Sequence, residues 1–549
     1  MDSTARTWLP RASIVGLVVL GVGVGLGSSS RLTYHEAFVA QAAREMLASR
    51  SLLVPTIDGR PWLEKPPLPF WLVAGSGWIL GEVNAFSSRL SSAIAAVAVA
   101  LGVASLASRR FGSRVGWLAG LVQATTSWLV IRGRLAEADI LLAALVTWTF
   151  VLFDRIRQGS PDSEDPTFRI PSPHVAWQAC SGESQGEGNV QTSLRTLMAK
   201  TTRVHSKAPS PWLIPSFFVL LASLSLVKGI GFGAILVMSA VVSVLAWDRD
   251  RRTFRALIRP TCWLSTAVIT FTWPALVAAR LPQALSLWSL HVADRLASHP
   301  EHFIGGPWWS YVPAVLGQTL PWTPLALLGA SFSFRRARTP SGRFGVDRLL
   351  WTWAVVPVLV LSAATVKNGH YAIHALPPWS VWAALGLVRL EERLRGRGWK
   401  ARAIERAMIT VLVALAAGCG LGHVVLGPRH DPRGREWDQC SEMARLVGLD
   451  VPLVFLYEDW DRKPYPTPFG PIPHDWAVRL FYLGRPAVWR QGIDELIAHP
   501  PNSHDGRYAL VGRDRDVPAL LEVGDVDVIR RFSSDRFDRA FTLFRISPR

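Results

Sequence analysis

The sequence predicts an α-helical polytopic membrane protein of about eleven spans, with a small α/β domain at its C-terminal end that lies outside the membrane. Three observations carry that expectation. Apolar runs recur at membrane-crossing length, their connections alternate between strongly basic and weakly charged, and residues 428–549 lose both features.

Hydrophobic residues make up 49% of the 549-residue chain, yet 59 Lys and Arg stand against 41 Asp and Glu, a net charge of +18. A soluble nucleic-acid binder can be that basic, but it spreads the charge over a surface and has no repeated spanning runs. Disorder is excluded by the apolar content. Trp is unusually frequent, 25 residues against 7 Tyr, which suits a chain with many positions at a membrane interface. The four cysteines, Cys180, Cys262, Cys419 and Cys440, are scattered and form neither a disulfide framework nor a metal motif.

Runs long enough to cross a hydrocarbon layer ~30 Å thick fall at 12–29, 86–107, 115–131, 139–153, 211–227, 230–247, 261–279, 311–332, 349–366, 371–388 and 408–427. The first follows Arg6 and Arg11 and reads as an uncleaved span, because no clear cleavage site follows it. Alternating from there, connections 108–114, 248–260, 333–348 and 389–407 face the cytoplasm. They hold 20 Lys and Arg against six acids. Every short basic connection thus agrees with one threading, so the charge specifies orientation and no nucleic acid is needed to explain it.

The polar segment 155–210, rich in Ser, Pro, Gly and Gln, reads as a cytoplasmic insertion within a membrane region covering 1–427. In the domain 428–549, strand-like runs at Val451–Tyr457, Tyr508–Val511, Val526–Ile529 and Phe541–Ile546 alternate with helical patterns at Asp475–Leu483 and Ile493–Ala498.

The first outer loop, 30–85, holds most of the candidate chemistry. Thr33–Ser49 carries Phe38, Val39, Ala42, Ala43, Met46 and Leu47 at helical spacing with Gln41, Arg44, Glu45 and Ser49 opposite, and is expected to lie in the interface. Thr33-Tyr-His-Glu36 fits a capping box, so Glu36 has two readings, helix cap or active-site acid. In Leu63-Glu64-Lys65-Pro66-Pro67, the prolines stiffen the backbone that presents Lys65. Other outer connections place Glu137 and Asp139 at the mouth of the fourth run, Lys228 between two runs, and His291, Asp294, Arg295, His299 and His302 within 281–310. Ionisable groups repeated at span ends point to a site at the lipid–water boundary, for a ligand with an anionic head and an apolar tail.

Taken in order, HEAxxxQxAREM, LEKPPLPFW, RLAEAD, VKG, HVADR, GGPWW and KNGHYxxxALPPW resemble the polyprenyl-phosphate-dependent glycosyltransferases of the GT-C type. The likeness is to bacterial aminoarabinose transferases that modify lipid A and to protein O-mannosyltransferases, and it is strongest over 31–92. It implies a GT-C-like membrane fold in the cytoplasmic membrane, with the active site and C-terminal domain extracytoplasmic. A sugar on a polyprenyl-phosphate carrier would be the donor, and a lipid, glycan or protein the acceptor.

Residue by residue, the resemblance implies that Lys65 contacts the lipid phosphate, Asp139 is an active-site acid and Arg295 is a phosphate or sugar contact. Lys367, His370 and Tyr371 would add substrate contacts, and Glu64 with His291 would be candidate ligands for a divalent metal cation. The family carries Asp-Glu in its first outer loop where this chain has His35-Glu36. Three readings follow: Glu36 serves as base, His35 does, or the chain is a noncatalytic relative. A competing class, a lipid or polysaccharide transporter or flippase, would place its charges near mid-membrane and break its helices there.

Overall fold

In this computed structural model, residues 5–28, 30–158, 211–296, 306–338, 345–364, 367–429, 434–457, 467–473, 475–503, 505–533 and 541–547 are described, the side chains of 5–8, 290–296 and 435 excepted. The chain enters through α1 (Ala5–Val18), which loosens into a π turn, and then α2 (Tyr34–Ser49). A short hairpin, β1 (Thr56–Ile57) with β2 (Arg60–Pro61), leads to α3 (Leu68–Leu80). The bundle continues with α4 (Ala85–Phe111), α5 (Ser113–Ala124), α6 (Ser127–Gly133) and α7 (Ala138–Gln158). After the segment 159–210, which contains most of the expected insertion and lies outside the described residues, come α8 (Leu213–Lys228), α9 (Phe232–Asp248), α10 (Arg251–Leu257), α11 (Pro260–Arg280) and α12 (Gln283–Leu296). Then follow α13 (Tyr311–Gln318), α14 (Thr323–Arg338), α15 (Val346–Ser362), α16 (Pro377–Gly396) and α17 (Ala401–Leu426).

All eleven apolar runs fall on helices, but several are broken. The run 115–131 divides at Thr125-Thr126 into α5 and α6, 311–332 divides around Leu320–Trp322, and 371–388 begins as a 3-10 turn, Gly369–Ala375, before α16 starts on Pro377-Pro378. Proline fits the first turn of a helix, where its missing N–H is not needed, so the Pro-Pro pair restarts the helix where hydropathy alone sees continuity. Among the described residues, α4, α11 and α17 are long and apolar enough to cross a membrane by length and composition; α8, α9, α3 and the stretch Leu9–Gly23 are shorter apolar helices. Several of the eleven expected runs are thus built from more than one helical piece.

The basic connections gather at one end of the bundle. Arg114 pairs with Glu391, Arg110 with Asp154 at 2.6 Å, Arg157 with Asp248, Arg348 with Asp248 at 2.7 Å, and Arg336 with Asp347 at 2.8 Å. This chain of pairs ties together 108–114, the end of α7, 248–250, 336–348 and the end of α16, the clustering that the positive-inside threading requires. Close helix approach comes from glycine. A Cβ on Gly329 of α14 would collide with the Trp382 carbonyl of α16, and one on Gly386 with the Leu325 carbonyl, so this pair of helices meets backbone to backbone.

At the other end sits the C-terminal part: α18 (Gly434–Leu446), β3 (Leu453–Leu456), α19 (Trp476–Leu483), β4 (Val488–Arg490), α20 (Ile493–Ala498), β5 (Tyr508–Gly512), α21 (Val517–Val523), β6 (Asp525–Phe532) and β7 (Phe541–Ser547). The strands form one sheet ordered β4-β3-β5-β7-β6, in which β3 is parallel to β4 and β5, and β7 is antiparallel to β5 and β6. Each strand and helix expected from the alternating pattern is present.

The helix α2 departs from expectation. Its apolar side and much of its polar side are covered, because Phe38, Met46, Trp62 and Phe70 share one core with Trp437, Phe455, Trp476 and Phe481 of the C-terminal part. Arg44 donates to the Phe481 carbonyl at 2.8 Å and the Val83 carbonyl at 3.0 Å. Glu45 accepts from the N–H groups of Asp58 at 2.8 Å and Gly59 at 3.1 Å, closing the hairpin turn. What periodicity reads as a helix lying on lipid is a helix clamped between the bundle and a sheet domain.

Candidate active site

Lys65 sits where the sequence places it, in a loop held by indoles. The N–H of Trp71 donates to the Leu52 carbonyl at 2.7 Å, that of Trp273 to Leu53 at 2.8 Å, and that of Trp288 to Leu63 at 3.1 Å. Three tryptophans from α3, α11 and α12 thus fix the backbone on both sides of the hairpin. Tyr34, His35, Phe38, Val39, Trp62, Glu64, Lys65 and Phe70 line one pocket. Phe38 and Trp62, whose ring centroids lie 4.3 Å apart, bring two aromatic faces to that lining. Lys65 makes no ion pair with a described residue.

Asp139 occupies the first turn of α7, where the helix dipole favours an anion, and Lys228 the last turn of α8, where it favours a cation. The two form an ion pair. The Lys228 ammonium also lies 4.2 Å from the Tyr371 ring centroid and 5.3 Å from that of Phe232. His370 Nε2 approaches the other Asp139 oxygen to 3.8 Å, and its ring meets Tyr371 edge-on. Just ahead of Asp139, Arg132 pairs with Glu137 at 2.6 Å.

The electrostatics join these two groups. Burial, then the charges of Lys65 and Arg132, lower the His35 imidazole below its ordinary 6.5, with Asp139 opposing. Burial likewise lowers His370 to about 4, with Asp139 opposing and Lys228, Arg132 and His35 reinforcing. Burial raises the Glu137 carboxyl, against the pull of Arg132 and Lys65. His35, Lys65, Arg132, Glu137, Asp139, Lys228 and His370 therefore form one charged cluster at the end of the bundle opposite the basic loops. Both histidines are neutral at pH 7 and can accept a proton.

This has a consequence for stability. The unfolded chain protonates these rings near their ordinary 6.5 and the folded chain only at lower pH, so stability present above about 6.5 is lost as the pH falls towards about 4. The thermal midpoint is expected to decline across that window, and less steeply in His370→Gln. Superimposable pH profiles for the two proteins would contradict the burial of His370.

The remaining expected residues distribute differently. Glu36 is fully buried and both of its oxygens are engaged: Oε1 accepts from Arg89 Nε at 2.7 Å and the Ala136 N–H at 3.0 Å, and Oε2 accepts from the Thr33 N–H at 2.8 Å. The capping-box reading holds, and each Glu36 oxygen carries two hydrogen bonds, since Arg89 also donates to Oε2 at 3.2 Å. Lys367 donates to the Ala364 carbonyl at 2.6 Å, which turns its ammonium back onto the end of α15. The side chains of His291 and Arg295 lie outside the described residues, as do His299 and His302. Glu64 lines the pocket, but among the described residues no three His, Cys, Asp or Glu converge as metal ligands.

Sequence reasoning left Arg89, Lys228 and Arg132 without roles. For Arg89 a signal existed: a lone arginine at the start of an apolar run must find a partner. Lys228 was marked by its place between two runs, but its pairing with Asp139, 89 positions away, was not legible.

Known proteins resemble the chain in sequence and in fold. Residues 64–160 match the family model described as dolichyl-phosphate-mannose-protein mannosyltransferase. Over 398 residues the chain is 27% identical to the undecaprenyl phosphate-alpha-4-amino-4-deoxy-L-arabinose arabinosyl transferase of Edwardsiella ictaluri, covering 72% of this chain and 61% of the relative. The corresponding transferase of Aeromonas salmonicida is 25% identical over 420 residues, covering 74% and 64%. Against the crystal structure of ArnT from Cupriavidus metallidurans bound to undecaprenyl phosphate, the TM-score is 0.69 at 17% identity, over 99% of this chain and 98% of the other.

The chain has the GT-C membrane fold.

An archaeal oligosaccharyltransferase from Archaeoglobus fulgidus shares it more distantly, with a TM-score of 0.51 at 11% identity, covering 89% of this chain and 64% of that one. In sequence, the matches span 61% and 64% of the length of the two curated relatives. The part of this GT-C chain matched by the mannosyltransferase family model runs from Glu64 through α3, α4, α5, α6 and the whole of α7, and so takes in Lys65, Arg132, Glu137 and Asp139.

Proposed function

We propose that the chain is an integral membrane glycosyltransferase that moves a sugar from a polyprenyl-phosphate carrier to a lipid, glycan or protein acceptor at the outer face of the cytoplasmic membrane. The observation that carries this reading is the charged cluster itself. Lys65, the pocket cation without an ion-pair partner among the described residues, shares one field with His35 and with the Asp139–Lys228–His370 group, at the end of the bundle away from the basic loops.

In the reaction, an acceptor hydroxyl oxygen attacks the anomeric carbon, the bond from that carbon to the phosphate oxygen breaks, and polyprenyl phosphate leaves with the electron pair. Lys65 stabilises the charge growing on the phosphate, and charge-assisted contacts of this kind are stronger than neutral ones. The acceptor proton passes to Asp139 or to neutral His35, while Lys228 holds Asp139 in place and His370 lies against it. Phosphate is a competent leaving group near neutral pH, so the leaving oxygen needs no proton.

The relatives named as undecaprenyl-phosphate arabinosyl transferases support a donor of this class. The test is purified full-length chain in lipid, supplied with undecaprenyl phosphate carrying radiolabelled aminoarabinose or mannose and a crude envelope extract as acceptor. Appearance of label in a new glycosidic product supports the reading. Quantitative recovery of both donors, or their movement across the bilayer without any new product, overturns it.

A further inference from the structure

The connection from α9 to α11 alternates acids and arginines, Asp248-Arg249-Asp250-Arg251-Arg252. Read along the sequence, it neutralises much of its own charge. The fold separates the two signs. Asp248 is buried, pairs with Arg157 and accepts from Arg348 at 2.7 Å. Asp250 is buried too, accepts from the Thr253 N–H at 3.0 Å and lies 3.6 Å from Arg157 Nε. Both acids are committed inward, and Arg249, Arg251, Arg252, Arg255 and Arg259 all remain exposed. Among the described residues, no carboxylate pairs with Arg249, Arg251, Arg255 or Arg259.

The same elbow exposes large apolar side chains. Phe254 is 46% exposed, Ile258 53%, and Trp247 43% at one end. Thr253 and Leu257 face inward and anchor the short helix α10 to the bundle. In the neighbouring basic connections part of the charge is paired, Arg114 and Arg395 with Glu391, Arg336 with Asp347 and Arg389 with Glu392, while Arg402 and Arg406 pair with no carboxylate among the described residues. Unpaired guanidinium groups beside exposed aromatic and aliphatic side chains fit a surface that meets phosphate and acyl chain together. A nucleic acid or a soluble acidic protein would answer the charge, but it would leave Phe254 and Ile258 without an apolar partner.

We infer that the elbow Trp247–Trp263 is a binding platform for anionic phospholipid headgroups in the leaflet on the basic side of the bundle. It holds the α9–α11 corner at that surface independently of the sugar-transfer site.

The probe is full-length chain in phosphatidylcholine nanodiscs doped with a photoactivatable phosphatidylglycerol, with crosslinked peptides mapped by mass spectrometry. Wild type is expected to be labelled within 247–263. The triple variant R251Q/R255Q/R259Q is expected to lose that labelling by at least about tenfold, from the roughly fivefold that each arginine contributes near a charged membrane surface. The pair R402Q/R406Q, on another basic connection, keeps it. A lysine triple at the same three positions, which preserves charge, keeps most of the label and separates loss of binding from misfolding. High salt should suppress the label in wild type. Equal labelling by a photoactivatable phosphatidylcholine, or full labelling of the glutamine triple, would overturn the inference.

Discussion

Lys65→Ala is expected to reduce sugar transfer by about 10²–10³-fold in kcat, the usual cost of removing a charged donor aimed at a developing anion. The argument is one of elimination within the cluster. Arg132 is committed to Glu137 and Lys228 to Asp139, so phosphate could recruit either only by breaking a partly buried ion pair. Lys65 has no such commitment among the described residues, and its backbone is fixed by three indole hydrogen bonds on both sides of the hairpin. No side-chain network has to be dismantled for its ammonium to reach a phosphate. Lys65→Arg keeps the charge on a longer planar head and should recover part of the rate, with a KM that changes more than kcat because the point of contact moves. The measurement is initial rate against donor concentration for the three proteins in the same lipid. A Lys65→Ala enzyme with wild-type kcat would remove Lys65 from the chemistry and leave Lys228 as the phosphate ligand.

The sequence carried different parts of this picture with different clarity. Hydropathy located the long helical runs, because burial in lipid is a local, additive property of some twenty residues, but it passed over the 13-residue apolar helix α3. The arginine-rich connections set the threading, and the ion pairs from Glu391 to Arg336 gather the same loops at one end. Breaks at Thr125-Thr126 and before Pro377 were not visible in hydropathy, since the flanking residues are apolar on both sides. The polar face of α2 misled for a related reason. Gln41, Arg44 and Glu45 have the composition of a solvated face, and only the sheet domain, joined to the chain hundreds of residues later, shows that Arg44 ends on the Phe481 carbonyl. Asp139 was legible as a candidate because it sits at a span end, where charge is otherwise rare, and His35 and Lys65 by the motifs of the first outer loop. Their grouping was not, since it depends on Lys228 and His370 arriving from two other connections.

Glu36 and Arg89 are expected to matter more for folding than for chemistry. Arg89, almost wholly buried on α4, donates to both Glu36 oxygens and to the carbonyls of Leu26 at 2.9 Å and Arg31 at 3.1 Å. Glu36 also receives the Thr33 and Ala136 N–H groups, so this one pair joins the exit from α1, the start of α2, the start of α4 and the approach to α7. Removing one partner leaves a buried charge without its counterion, and Arg89→Leu is expected to cost about 3–5 kcal/mol of stability. Glu36→Gln keeps an acceptor for the helix cap but loses the charge that answers Arg89, and should also be strongly destabilised. Joining Arg89→Leu to Glu36→Leu should cost less than the two single losses added, though not nothing, because the carbonyls and N–H groups they serve stay unsatisfied. Unfolding in detergent gives the stabilities, and transfer rate per folded molecule separates the two roles of Glu36. Near-normal specific activity in the surviving Glu36→Gln fraction places the carboxylate in the scaffold that positions His35 one residue before it. A fully stable Glu36→Gln protein with no transfer would instead make Glu36 the base, and Arg89 the group that keeps it ionised.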